Sequence, residues 1–433
     1  MEPTRAFILT FACPPPAVSE PWLDGSAAKP YPKVLQAARK KIAGYRGRGP
    51  VALAERTPLE YLAGLFAAAE KGMPVALINP RWGIAECAQA ASQIDPEIWL
   101  GPKPRYWPAP GKVPPFEAKS WRGTLWIPTG GTSGQVRWAV HTWKTLAAAA
   151  RALVEFLEIP GAVHVSTLPP WHVSGLMPAV RARETGGKLG LEDWKRLESG
   201  FVPAIAPEQA VISLVPTQLA RLLSEKKLVR WLAGTRAILL GGAAPPPELL
   251  AAARKLRLPI ALAYGMTETA AVVAAQKPAD FLAAEPPWAT PLPHAKIWAD
   301  KTRRLNIRAA SLFQGYYPAK RPGRNFATGD FGEVDARGRV RPLGRIDRVI
   351  ITGGEKVNPE EVEREIRQAR LVQEVRVIGC PDAEWGEQVV ALYVGPKRTD
   401  REFRQALEKR LAAYALPKAW VKVRALPKGK KAI

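Results

Sequence analysis

Short apolar runs alternate with longer Ala- and Leu-rich segments through most of this chain. Near the start, 75–78 and 98–100 read as buried strands, while 59–70 and 86–93 place apolar residues at helical spacing. Residues 7–12 are apolar but few, lack a basic front and run into Pro14-Pro15-Pro16; they read as a first strand, not a leader. Between about 125 and 275 the alternation becomes regular. Helices are expected at 142–157, 216–224 and 247–255, and strands at 163–168, 237–240 and 260–263. Strands alternating with helices imply a mostly parallel sheet covered on both faces. Residues 292–343 are denser in short extended segments, with a hairpin turn at Asp335-Ala-Arg-Gly338. A compact unit follows Arg345: helix 359–369, strands 374–379 and 388–394, helix 399–413 and a basic tail. Its first helix opens with Asn358 as N-cap, Pro359 in the first position and Glu360-Glu361 in the first turn. The fold class is therefore α/β: a large N-terminal domain of mostly parallel sheets covered by helices, then a small α+β domain.

Composition narrows the options. A chain of 433 residues with 47% hydrophobic content has room for two or three cores. Three cysteines, Cys13, Cys87 and Cys380, form no CxxC pair, which fits a reducing, cytoplasmic setting better than a disulfide scaffold or zinc site. With four histidines and no HExxH, a histidine-based metal centre is not expected. No apolar run is long enough to span a membrane. The formal charge of +24 favours polyanionic ligands, nucleotides and coenzyme A among them. The basic residues are scattered, however, rather than gathered beside aromatic platforms as nucleic-acid binders arrange them.

Several strings carry candidate chemistry. Thr129-Gly130-Gly131-Thr132-Ser133-Gly134 leads through Gln135 and Val136 to Arg137. Its glycines let backbone N–H groups turn toward an anion, and its hydroxyls add donors. It is neither a GxxxxGK[ST] loop nor a GxSxG elbow, since Gln135 stands where the second glycine belongs. Tyr264-Gly265-Met-Thr267-Glu268 follows an apolar strand, and strand ends of parallel sheets are where ligands bind. There Tyr264 can stack on a purine, Thr267 can donate to a phosphoryl oxygen and Glu268 can hold Mg²⁺. Thr328-Gly-Asp330 presents a carboxylate suited to vicinal hydroxyls such as those of a ribose. Taken singly, each string is also an ordinary turn, a helix cap or a loop after a strand.

Together and in this order, the strings resemble the adenylate-forming superfamily of acyl-CoA synthetases, adenylation domains and luciferases. The resemblance implies two domains, 1–344 and a mobile 348–433, joined by a hinge at 345–347 centred on Asp347. It implies a phosphate loop at Thr129–Gly134 with Arg137 in place of the usual lysine, and further ATP contacts from Gly242, Ala243, Tyr264, Gly265, Thr267, Asp330 and Arg345. An acyl pocket is implied at His172, Ser174, Thr217, Gln218 and Gly241, with His172 also gating thiol access. Glu268 is implied as the Mg²⁺ ligand, Gly353 and Gly354 as the passage for coenzyme A, and Lys430 as the catalytic lysine, with Lys431 the alternative. Within the superfamily, Trp171-His-Val-Ser-Gly-Leu, the 213–223 string and Trp138-Ala-Val-His-Thr-Trp resemble the o-succinylbenzoate–CoA ligases of menaquinone and phylloquinone biosynthesis. A dicarboxylate, ATP and coenzyme A are then the expected small-molecule substrates, with Arg221 or Gln218 as contacts for the second carboxylate and a homodimer as the assembly. Rival readings are an aryl-acid adenylating enzyme that loads a carrier protein, a non-catalytic nucleotide-binding scaffold and a basic nucleic-acid binder.

Overall fold

The computed structural model describes residues 23–24, 29–109, 111–130, 135–318, 323–353 and 355–426. The strand expected at 7–12 lies outside them, as do 131–134, Gly354, Lys430 and Lys431. The chain divides into two compact units: Met1–Lys296 with Arg308–Phe326, and Ile297–Ile307 with Ala327–Ile433.

The first unit holds two sheets. One uses β1 (Val51–Leu53), β2 (Val75–Leu77), β3 (Ile98–Leu100), β4 (Thr124–Gly130) and β5 (Val136–Thr142), with the short strand Tyr316–Tyr317 beyond β5. β3, β1, β2 and β4 pair in parallel, and β5 folds back antiparallel on β4 with Gly130 opposite Val136. β1 and β2 are buried throughout because both faces are covered, which is why residues 75–78 read as an unbroken apolar run; β1 was not read from the sequence. The second sheet comprises β6 (Val163–Ser166), β7 (Lys188–Leu191), β8 (Ala210–Leu214), β9 (Ala237–Leu240), β10 (Ile260–Met266), β11 (Ala271–Ala275) and β12 (Thr290–Pro291). Its order is β12-β11-β10-β9-β8-β6-β7, parallel from β7 to β10 and antiparallel beyond. The expected alternation of strand and helix is thus present. The helix Trp143–Leu157 starts where Thr142 accepts the Thr145 N–H at 3.3 Å and stops at Glu158 in the left-handed region.

The second unit is mainly antiparallel. Phe326–Val334 and Val340–Arg345 form the expected hairpin, its turn closed by Asp335, whose Oδ1 accepts the N–H groups of Arg337 and Arg339. A five-stranded sheet is covered by the helix Pro359–Gln368, where Val362 and Ile366 meet Val375, Val377 and Val389. Asn358 caps that helix as expected, accepting the Glu360 N–H at 3.1 Å. The helix expected at 399–413 is shorter, Asp400–Leu407. The chain leaves it so that Ala415 and Leu416 reach the core, with Ala412 extended. Among the described residues no helix is long and apolar enough to cross a membrane.

Candidate functional site

In the first unit, four segments leave the C-terminal ends of the parallel strands β6, β8, β9 and β10, the second passing directly into the helix Pro216–Leu222. They carry His172, then Thr217 and Gln218, then Gly241 to Ala243, and then Thr267 and Glu268. Strand ends are the natural binding edge of such a sheet, because backbone groups there have no further ladder partner. A cavity of about 360 Å³ opens in this unit. Thr129, His172 and Thr267, three residues expected at the site, line it together. Asn79, Trp82, Glu86 and Gln135 line it as well and were not expected. Three of these four, Asn79, Trp82 and Glu86, precede the Gly-rich string, between and within the strand read at 75–78 and the helix read at 86–93, where no motif was seen.

The Tyr-Gly-Met-Thr-Glu turn is tightly built. At Gly265 a Cβ would lie 1.8 Å from the Ala271 carbonyl oxygen, so only glycine fits. Thr267–Thr269 forms a single 3₁₀ turn, and Ala270 and Ala271 both have positive φ. The reading of Thr267 as a plain helix N-cap is not met: Met266 holds the cap position, and its N–H is accepted by Thr269 Oγ1 at 3.0 Å. Beneath the turn lies His141, fully buried on β5, with Nε2 2.7 Å from the Thr267 carbonyl oxygen and Nδ1 2.9 Å from Thr145 Oγ1. A carbonyl only accepts, so Nε2 carries the proton. Burial lowers the pKa of His141 to about 4, which keeps the ring neutral.

Glu268 is buried, and one carboxylate oxygen accepts the Tyr316 hydroxyl. The Arg137 guanidinium stacks over the Tyr316 ring at 4.3 Å. Arg137, Tyr316 and Glu268 therefore form one connected group, and Tyr316 is a residue that sequence reasoning missed. Among the described residues nothing holds the second oxygen of Glu268. No cluster of three or more His, Cys, Asp or Glu is present among them either. A lone hard oxygen of this kind fits Mg²⁺ that arrives with nucleotide phosphates, not an ion caged by protein.

His172 stands before the helix Val173–Glu184 and is open to the cavity, yet the surrounding protein still lowers its pKa by desolvation. Ser174 lies in the first turn of that helix, half-buried. Further along it, Arg181 is buried with no carboxylate in reach among the described residues. Its contacts are neutral: His164 Nδ1 at 3.4 Å and Ser213 Oγ at 3.3 Å. Burial lowers the pKa of Arg181 to about 9. Gln218 uses its Oε1 to accept the Val215 N–H at 3.1 Å, and Thr217 is exposed. Arg221 is placed differently from expectation, exposed and paired with Glu198 at 2.7 Å.

In the second unit, Asp330 and Arg345 face each other across the hairpin, 3.1 Å apart. Arg345 also grips Asp347 through Nε at 3.1 Å and Nη2 at 3.3 Å. Burial alone would lower the pKa of Arg345, but bonding to Asp347 and the charge of Asp330 raise it. On the far side, Arg348 binds Glu360 at 2.6 Å and Glu363 at 3.1 Å. Gly353 has φ +58, and a Cβ there would meet the Trp385 ring at 2.6 Å. Its missing side chain thus makes room for Trp385, over whose ring Lys418 Nζ sits at 3.3 Å.

Comparison with known proteins gives this arrangement its class. Residues 101–317 match the AMP-binding enzyme family and residues 361–432 match the AMP-binding enzyme C-terminal domain, so the chain belongs to the AMP-binding enzymes. It is similar to the 2-succinylbenzoate–CoA ligases of Salmonella typhimurium, at 33% identity over 301 residues, and of Escherichia coli K12, at 32% over 305. Each alignment covers 68% of this chain and 63% of the relative, so the chain spans under two thirds of the curated relatives it matches. An indoleacetate–CoA ligase of Aromatoleum aromaticum is 29% identical over 325 residues, 69% of this chain and 63% of its own. Among solved structures, E. coli MenE with a bound phenylether-linked analogue of OSB-AMS superposes with a TM-score of 0.71 at 26% identity, covering 92% of this chain and 90% of that one. Bacillus subtilis o-succinylbenzoate CoA synthetase, in complex with its acyl-adenylate intermediate, gives 0.75 at 20% identity, covering 93% and 90%.

Proposed function

We propose that this chain is an AMP-forming acid–thiol ligase that activates o-succinylbenzoate as its acyl-adenylate and transfers the acyl group to coenzyme A, releasing pyrophosphate and AMP. The observation that carries the reading is the meeting of Thr129, His172 and Thr267 on one cavity with Glu268 beside it. The ligase relatives supply the substrate class.

The chemical problem is repulsion. A carboxylate must approach the α-phosphate of ATP, and two unit charges at 4 Å repel by about 4 kcal/mol at an effective dielectric of 20. Thr129, Thr267 and the N–H groups of the 129–134 string donate to phosphate oxygens. Arg137 adds positive charge, and Tyr316 holds Glu268 in place. Mg²⁺, when bound at Glu268, supplies further charge neutralisation. His141 holds the Thr267 carbonyl and so steadies the turn that presents the Thr267 hydroxyl. The o-succinylbenzoate substrate carries a second carboxylate. Arg181, a buried cation with only neutral neighbours, is the residue we assign to it, in place of Arg221. Asp330 binds the ribose, Lys430 bridges the reacting groups, and turning at Asp347 exchanges Lys430 for the Gly353–Gly354 passage through which the thiol enters. We place the reaction in the cytoplasm, where ATP, Mg²⁺ and coenzyme A are supplied.

The test separates the half-reactions. Enzyme, ATP, Mg²⁺ and o-succinylbenzoate are mixed without coenzyme A, quenched and analysed by mass. The expected species is o-succinylbenzoyl-AMP, converted to the CoA thioester on adding coenzyme A. Absence of any adenylate, with ATP bound, contradicts the reading.

A further inference from the structure

The chain turns from β4 to β5 through the Gly-rich string, with Gly130 opposite Val136 at the base of the hairpin. On the side facing away from β4, the ladder to Tyr316–Tyr317 reaches Ala139 and Trp138. Val136 has its backbone groups satisfied by side chains instead. Its N–H donates to Gln89 Oε1 at 2.7 Å, and its carbonyl accepts from Gln93 Nε2 at 2.8 Å. The other proton of the Gln93 amide goes to the Gln89 carbonyl at 3.0 Å. The two amides imitate the edge of a neighbouring strand. Gln89 belongs to the helix Ile84–Ala91 and Gln93 follows just after it, so two contacts spaced four residues apart fall on one face. The same segment brings Trp82 and Glu86 to the cavity. It lies ahead of the stretch that matches the AMP-binding family, residues 101–317.

We propose that Gln89 and Gln93 are positioning residues of the nucleotide site, fixing Val136 and thereby the exit of the 129–134 string relative to the cavity. The proposal rests on the nucleotide-binding part of the function proposed above. Each amide has a defined polarity: Gln89 must accept and Gln93 must donate. A carboxylate can replace the first but not the second, because it has no proton to give at neutral pH. Both changes add the same charge to the same helix end, so their difference reports the two donor bonds of Gln93, to the Val136 and Gln89 carbonyls.

The experiment compares Gln89→Glu, Gln93→Glu and Gln93→Leu with the unaltered chain. Two readouts are used: hydrogen exchange at the Val136 and Arg137 amides without ligand, and binding of Mg·ATP against AMP. For Gln93→Glu and Gln93→Leu we expect faster exchange and about tenfold weaker ATP binding, the scale of one buried carbonyl losing its donor. AMP binding should change less than threefold, because the string cradles the phosphates that AMP lacks. Gln89→Glu should stay within about threefold of the unaltered chain for both ligands. Equal effects of the two glutamate variants, unchanged exchange, or parallel loss of ATP and AMP binding would each overturn the positioning role. An unaltered chain that binds neither nucleotide, while exchange still responds to the variants, instead contradicts the proposed function and reduces the clamp to a structural contact.

Discussion

The two units differ in how the polar groups near their candidate residues are partnered. In the first, the groups around the candidate site are buried and bonded mostly to neutral partners: His141 to Thr267 and Thr145, Arg181 to His164 and Ser213, Val136 to two glutamine amides. In the second, half-exposed arginines and carboxylates alternate along the surface: Arg303 and Arg341 on Glu333, Arg345 on Asp330 and Asp347, Arg348 on Glu360 and Glu363. Buried hydrogen bonds to neutral partners act in a low dielectric and hold their groups in a defined geometry. Partly exposed ion pairs contribute little each and exchange partners readily. The half-exposed pairs flanking Asp347 suit the turning we propose at that residue.

Predictions can break this contrast, beginning with the largest effect. Lys430→Ala should lower adenylate formation by about 10²–10³, the scale of removing one charge-stabilising donor. Thioester formation from preformed adenylate should survive. Equal loss of both half-reactions would contradict turning at Asp347, and unchanged adenylation would move the role to Lys431. Arg181→Met should raise the KM for o-succinylbenzoate by about 10–100-fold, the scale of a lost charge-assisted bond. Thermal stability should hold or rise, because a buried cation without a counter-charge is replaced by an apolar side chain. A fall in Tm with unchanged KM would refute the assignment.

Acid provides the next test. All four histidines, at 141, 164, 172 and 294, fall in the first unit. Burial lowers each pKa, to about 4 for His141 and His294. The unfolded chain takes up protons near pH 6.5, while these folded sites resist until about 4. The unfolded state therefore binds more protons in that window, and stability falls as pH drops through it. The loss approaches about 3 kcal/mol for a histidine whose pKa is lowered to about 4. Hydrogen exchange at pH 7 and pH 5, corrected for intrinsic rates, should show loosening in the first unit with the second little changed. The smallest effect belongs to the surface. Arg303→Ala should cost the second unit less than about 1 kcal/mol by denaturant titration, since Arg341 still holds Glu333.

Much of this was legible in the sequence, for identifiable reasons. Strands β2, β6, β9 and β10 are read from their apolar runs because both faces are covered, and the Asn358 cap and Asp335 turn because their side chains act within a few residues. Thr129, His172 and Thr267 were found because short strings carried them, and all three line the cavity. What escaped acts across long sequence separations. Gln89 and Gln93 meet Val136 more than forty positions on, at separations of 47 and 43. His141 meets Thr267 at a separation of 126. Arg181 looked like one more of the 63 basic residues of the chain, and only burial without a counter-charge sets it apart. Arg221 was favoured by its place beside Gln218, but one helical turn carries it to the surface.

The most direct test of the central claim is pyrophosphate release from ATP and Mg²⁺ with o-succinylbenzoate, benzoate, 4-coumarate and a medium-chain fatty acid, each with and without coenzyme A. The account predicts turnover with o-succinylbenzoate alone, accelerated by coenzyme A, with o-succinylbenzoyl-CoA as product. Turnover with another of these acids and none with o-succinylbenzoate would contradict the substrate assignment. Silence with all four would contradict the ligase itself.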